Sequence, residues 1–137
     1  MPNTPDPLAC QYQGKRYRVV HCAGALDSYR KALKHVDARR VGSFTRGMIL
    51  QIERLANGQA MSNENFPKEG ELPKRKGQQT AKYFRALKRI PIRGYCWRSE
   101  TWPDTWFISH YVYKDYTRLA GKDTRKVERN WLRIEEN

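Results

Sequence analysis

Three β-like runs follow one another over residues 83–90, 92–99 and 105–114, and this succession most narrows the folds open to the chain. Trp102-Pro103-Asp104 separates the last two with turn-forming residues, which predicts a hairpin there. Upstream, Tyr17, Val19 and Val20, with Arg16 and Arg18 between them, predict a short opening strand at residues 15–22.

Between the opening strand and the three later runs, the apolar spacing changes from two residues to three and four. Leu26, Tyr29, Leu33 and Val36 recur at helical steps after Gly24, with Asp27 placed early, where the helix end is positive. Val41-Gly42-Ser43 then breaks the pattern. Ser43 is a cap candidate for a second helix in which Phe44, Met48, Ile52 and Leu55 share a face, and Asn57-Gly58 ends it. Near the chain's end, Val127, Trp131 and Ile134 predict a helix over residues 122–136, with Asp123 near its start.

The order strand, helix, helix, three strands, helix predicts a single α+β domain over residues 1–137. Its helices are expected on one face of a largely antiparallel sheet, leaving the other face for ligand. Residues 1–14, with three prolines and a glycine, read as a flexible N-terminus. Residues 59–80 are polar, contain Pro67, Gly70, Pro73 and Gly77, and read as a long exposed loop.

Charge narrows the partners. The 27 Lys and Arg against 14 Asp and Glu give a net charge of +13, which attracts polyanions: nucleic acid, anionic membrane or an acidic protein. At 39% apolar and 12% aromatic residues the chain is too rich in core formers for wholesale disorder. A membrane role is disfavoured, since no run approaches the roughly 20 apolar residues of a spanning helix. Residues 1–10 lack the apolar core of a signal peptide, so the expected location is cytoplasmic. Cys10, Cys22 and Cys96 are widely spaced and form no CxxC pair, consistent with reduced thiols and neither a disulfide framework nor a zinc module.

Residues 74–98 hold nine basic side chains and no acidic one. Tyr83, Phe84, Tyr95 and Trp97 stand among them, the mixture used in RNA recognition, where cations meet phosphates and rings meet unstacked bases. The competing explanation is a solvated charged face whose aromatics turn inward. On the next run, His110 offers proton exchange near neutral pH, although strict alternation puts it on the face of Trp106, Ile108 and Val112, which can be the buried one. His21 and His35, with no ligand-spaced partner, read as structural.

The scattered carboxylates form no evident Mg²⁺ site, so no metal or cofactor is expected and any phosphodiester chemistry should be metal-free. Metal-free RNA cleavage uses the substrate's own 2′-hydroxyl, and the protein supplies a proton acceptor, a donor and cations.

Phe84-Arg85-Ala86-Leu87-Lys88, Ile92-Arg93-Gly94-Tyr95-Cys96-Trp97, Phe107-Ile108-Ser109-His110-Tyr111-Val112-Tyr113-Lys114 and the terminal helical segment together resemble the RelE/ParE toxin superfamily, specifically its RelE-like mRNA-interferase branch. The resemblance implies a RelE-like fold, with a helical hairpin after the first strand, an antiparallel sheet and a terminal helix. It also implies a growth-arresting endoribonuclease that cleaves mRNA, commonly on the ribosome, and is silenced by a cognate acidic antitoxin.

Carried over by position, Lys88, Arg93, Arg98, His110 and Tyr113 would be catalytic. Lys82, Arg85, Arg89, Tyr95, Trp97 and Lys114 would contact RNA. Two departures stand out: residues 59–80 are longer than compact members need, and Asp115 occupies a position that is often a second lysine. The ParE branch binds DNA gyrase and cleaves nothing, so the same resemblance admits a non-nucleolytic toxin. A third reading is a helix-turn-helix DNA binder whose second helix would read bases with Arg46, Gln51 and Arg54.

Overall fold

The computed structural model describes residues 6–114 and 119–136. They form a mixed α and β fold with a six-stranded sheet and three α-helices. In chain order these are β1 (Gln11–Gln13), β2 (Arg18–His21), α1 (Ala25–Leu33), α2 (Val41–Ala56), β3 (Lys68–Glu71), β4 (Tyr83–Arg89), β5 (Ile92–Arg98), β6 (Thr105–Tyr113) and α3 (Gly121–Glu135). The sheet order is β1-β2-β6-β5-β4-β3. Every neighbouring pair is antiparallel except β2 and β6, which run parallel with both helices of the α1–α2 pair and the β4–β5 hairpin between them in sequence.

Local chemistry accounts for the turns. Gly24, at φ 85°, reverses the chain between β2 and α1 in a left-handed conformation that favours glycine. Asp104 adopts φ 50° in the β5–β6 turn, a region that aspartate tolerates better than most residues. At the end of α2, Gly58 (φ 73°) donates its N–H to the Leu55 carbonyl at 3.0 Å, so the Asn57-Gly58 stop falls where the sequence puts it. The start of α2 differs. Asp37 caps a turn of 3-10 helix (Ala38–Arg40) by accepting from the Arg39 N–H at 2.9 Å, and this turn runs straight into α2. Ser43 therefore lies inside the first turn, its hydroxyl donating to the Arg40 carbonyl at 3.2 Å.

The main departure from the sequence expectation is the layering. α1 and α2 pack on one sheet face against Val19, Leu87, Ile92, Cys96 and Ile108. α3 covers the other, with Val127 and Trp131 set against Phe84, Ala86, Tyr95, Trp97 and Phe107. Helices thus lie on both faces, and α3 occupies the face expected to be open. The physical reason lies in β5, which is buried from Ile92 to Trp97 without alternation, as a strand sandwiched between two apolar layers must be.

Residues 59–80 are likewise not one exposed loop: they contain β3, and Phe66 and Leu72 within them are buried. A Cβ on Gly70 would lie 2.7 Å from the Phe84 ring, so that strand needs its glycine to approach the core. In the N-terminal segment Leu8 is buried and β1 pairs with β2. Residues 1–5 and Asp115 lie outside the described residues. Among the described residues no helix is long and apolar enough to cross a membrane.

Candidate functional site: a basic cleft between α1, β6 and α3

β2 stops at His21, whereas β6 runs on to Tyr113, so the last part of β6 has no β2 alongside. α1 turns away there, and Ser28 on α1 closes the gap by accepting the Tyr111 N–H at 2.9 Å. α3 approaches from the opposite face. The result is a cleft of about 700 Å³, lined by Lys31 from α1, by His35 just beyond α1, and by Lys122, Lys126 and Arg129 from α3.

Those four Lys and Arg residues are exposed, and none is within ion-pair distance of a carboxylate among the described residues. Positions 122, 126 and 129 share one face of α3. Tyr113, 39% exposed, lies against the His35 imidazole at a centroid distance of 4.8 Å and a 33° tilt.

The floor of the cleft contains a buried polar chain created by a β-bulge. In the β5–β6 ladder Tyr95 pairs with His110 but Cys96 with Ile108, which leaves Ser109 as the extra residue. The bulge breaks the alternation, turning Ser109 and His110 together towards α3, while Trp106 and Ile108 pack on the α1–α2 side. Strict alternation had put His110 with Trp106 and Ile108.

From Asn130 the chain runs through four groups. Asn130 Nδ2 donates to Ser109 Oγ at 2.8 Å, Ser109 Oγ lies 2.8 Å from His110 Nδ1, and His110 Nε2 lies 3.1 Å from Asp123 Oδ1. Lys114 Nζ completes it, 2.9 Å from Asp123 Oδ2 and donating to the Tyr95 hydroxyl at 3.4 Å. A neutral imidazole with its proton on Nε2, donating to Asp123 and accepting from Ser109 at Nδ1, satisfies both ring nitrogens. Burial lowers the His110 pKa below the usual imidazole value, only partly offset by its hydrogen bond to Asp123. Burial also acts to lower Lys114, but Asp123 and Tyr95 outweigh it and hold the ammonium above its ordinary value.

His110 and Tyr113 therefore line the cleft, and Lys114 braces its floor. The other sequence-derived site residues lie elsewhere. Tyr95 and Trp97 are wholly buried against α3, so neither is available to stack on a base. Arg93 is 1% exposed, its Nη1 lying 3.5 Å from Glu69, and Lys88 is its half-buried cross-strand neighbour. Arg98 is exposed at the far end of β5, over the Tyr17 ring at 5.1 Å and 4.0 Å from Asp104. Lys82 pairs with Glu100 at 2.6 Å. Arg85 donates to the Phe66 carbonyl at 2.9 Å, and Arg89 lies over Phe44 at 5.8 Å.

Four of the nine cations in the acid-free stretch, Arg75, Lys82, Arg93 and Arg98, thus face carboxylates that are distant in sequence or just outside it: Glu135, Glu100, Glu69 and Asp104. The helix-turn-helix reading loses a base reader as well, because Gln51 is buried and donates to the Lys88 carbonyl at 3.3 Å.

Glu135 was not singled out by the sequence. Its carboxylate is fully buried and accepts from Trp97 Nε1 (3.1 Å), Ser99 Oγ (2.8 Å) and the Glu100 and Thr101 N–H groups (2.9 and 3.0 Å). Arg75 reaches it at 3.4 Å. Burial acts to raise its pKa, but the donors outweigh burial and hold it below the usual glutamate value. This cluster locks the last turn of α3 onto the β5–β6 turn.

The buried groups set an acid limit on stability. Burial lowers His21 as it lowers His110, against hydrogen bonds to the Cys10 and Ala9 carbonyls. The unfolded chain takes up these protons at about pH 6.5 and the folded chain only below that, so stability is full above this range and falls as pH drops through it. Asp123 and Glu135, both held low, add a second loss as pH falls below about 4. Glu69, which burial raises despite Arg93, opposes that second loss. Thermal unfolding followed from about pH 8 to about pH 4 should show a midpoint that begins to fall near pH 6.5. A midpoint unchanged down to about pH 5 would contradict the neutral, buried state of both histidines.

Comparisons of the chain with protein-family models, with curated proteins and with solved structures give no match.

Proposed function

We propose that the chain is a metal-independent endoribonuclease acting on mRNA, a RelE-like toxin kept silent by an acidic antitoxin, and that its RNA site is the α1–β6–α3 cleft. The observation that carries this reading is the set of exposed cations Lys31, Lys122, Lys126 and Arg129, with no carboxylate partner among the described residues, gathered around an exposed tyrosine and an imidazole. Cations for phosphates beside an aromatic face for an unpaired base are what single-stranded RNA requires.

The order of elements also supports it: a strand, a helical hairpin, an antiparallel three-strand meander and a terminal helix, as the resemblance to RelE-like toxins implies. Among the described residues lining the cleft, only Asp27 and Asp123 supply carboxylates, and Asp123 is engaged by His110 and Lys114, which favours 2′-hydroxyl attack over metal-assisted hydrolysis. In this reading Arg93, Tyr95 and Trp97 hold the sheet together, and His110 orients the cleft floor without touching substrate.

Induced expression is expected to arrest growth and to produce mapped mRNA breaks that persist in extracts treated with EDTA. Substituting Lys126 and Arg129 by glutamate should abolish both effects while the protein remains folded. Arrested cells with intact transcripts would overturn the nuclease reading and favour a gyrase-binding toxin.

A further inference from the structure

Resting on the reading of the cleft as an RNA site, we infer that His35 is the proton acceptor of the cleavage step and that Tyr113, against which it packs, is the proton donor. The chain has three histidines, and the structure separates them. His21 is buried, with Nδ1 bonded to the Ala9 carbonyl at 2.9 Å and Nε2 to the Tyr111 hydroxyl at 2.7 Å. His110 is 2% exposed and has both ring nitrogens engaged, by Ser109 and Asp123.

His35 alone is exposed, lines the cleft and makes no side-chain hydrogen bond among the described residues. It lies in the turn two residues beyond Leu33, the last residue of α1, and its N–H donates to the Ala32 carbonyl at 3.2 Å, which fixes the backbone that carries it. The Tyr113 ring fixes the plane of the imidazole. Both side chains thus line one cationic cleft, within reach of a phosphodiester bound there.

In the step, the RNA 2′-oxygen forms a bond to phosphorus and the bond from phosphorus to the 5′-oxygen breaks. The 2′-hydroxyl proton passes to the His35 imidazole, and the Tyr113 phenol gives its proton to the departing 5′-oxygen. The products are a 2′,3′-cyclic phosphate and a 5′-hydroxyl. Transfer of the proton from imidazolium to phenolate, directly or through water, restores both groups without a further reagent. Lys31, Lys126 and Arg129 offset the charge that builds on the phosphoryl oxygens.

The test uses the full chain and an end-labelled oligoribonucleotide, with the matching oligodeoxyribonucleotide as a control that lacks the nucleophile. His35→Gln should lower the single-turnover cleavage rate by about 100-fold or more, leave the RNA dissociation constant within about threefold, and remove the acid limb of the pH–rate profile. His35→Ala should regain activity when free imidazole is added, which a merely structural role would not allow. Tyr113→Phe, which keeps the ring contact, should remove the basic limb.

Cleavage by His35→Gln at the wild-type rate with an unchanged pH profile would overturn this assignment and leave the endonuclease reading standing. RNA that the wild-type protein binds but never cleaves, whether free or on ribosomes, would overturn both.

Discussion

Asp123→Ala is expected to destabilise the fold by about 3–5 kcal/mol, the range found when one partner of a buried ion pair is removed. Asp123 joins His110 and Lys114 under α3, and all three side chains are almost completely buried. Alanine withdraws a carboxylate that lies 2.9 Å from a buried ammonium, leaves His110 Nε2 without its acceptor, and removes a negative charge from the first turn of α3, where the helix end is positive.

Asp123→Asn keeps the shape, and an amide can still face both neighbours, so a smaller loss of about 1–2 kcal/mol is expected. Chemical denaturation of the two variants should separate them by at least about 1.5 kcal/mol. Equal stabilities would mean that the ion pair contributes nothing beyond its volume. Since natural domains are stable by only about 5–15 kcal/mol, the alanine variant stands near the limit of folding.

Reversing charge in the cleft is expected to have the largest effect on binding. Lys126→Glu combined with Arg129→Glu should weaken binding of single-stranded RNA by about 30-fold or more near physiological salt, and should reduce the slope of log K against log salt by about 1.4, the loss of two phosphate contacts. The matched control is Lys82→Glu with Arg98→Glu, which lowers the net charge by the same amount. Those two cations already sit against Glu100 and Asp104, so binding should change by no more than about threefold. Fluorescence anisotropy across a salt series measures both quantities. Loss confined to the Lys82 and Arg98 pair would move the site to the far end of β5 and β6.

Much of the fold was legible in the residues because it rests on local pattern. The opening strand, the two-helix segment, the three later strands and the terminal helix all follow from the spacing of apolar residues, with Gly58 and the Trp102-Pro103-Asp104 turn as punctuation. The missed strands, β1 and β3, are three and four residues long and carry little apolar signal of their own. They form because β2 and β4 each offer an edge to pair with.

The candidate site was less legible. His110 was recognised as notable, but its orientation depended on the extra residue at Ser109, and a bulge is specified by strand pairing, not by the composition of one strand. Lys31, His35, Lys122, Lys126 and Arg129 come together from helices almost ninety positions apart, where each helix alone shows only an ordinary solvated face.

The sequence by itself determined the excess of positive charge and the kinds and order of the main elements, and hence a strongly basic, mixed α and β fold. Only the tertiary structure decided which cations remain available. Over residues 74–98 the chain contains no acid, yet folding brings Glu69 to Arg93, Glu100 to Lys82, Asp104 to Arg98 and Glu135 to Arg75. Coulombic attraction depends on distance in space and on burial, neither of which is encoded by separation along the chain. For that reason part of the most basic segment became scaffold, while Lys31, Lys122, Lys126 and Arg129 gather in the cleft beside β6 with no ion-paired carboxylate among the described residues.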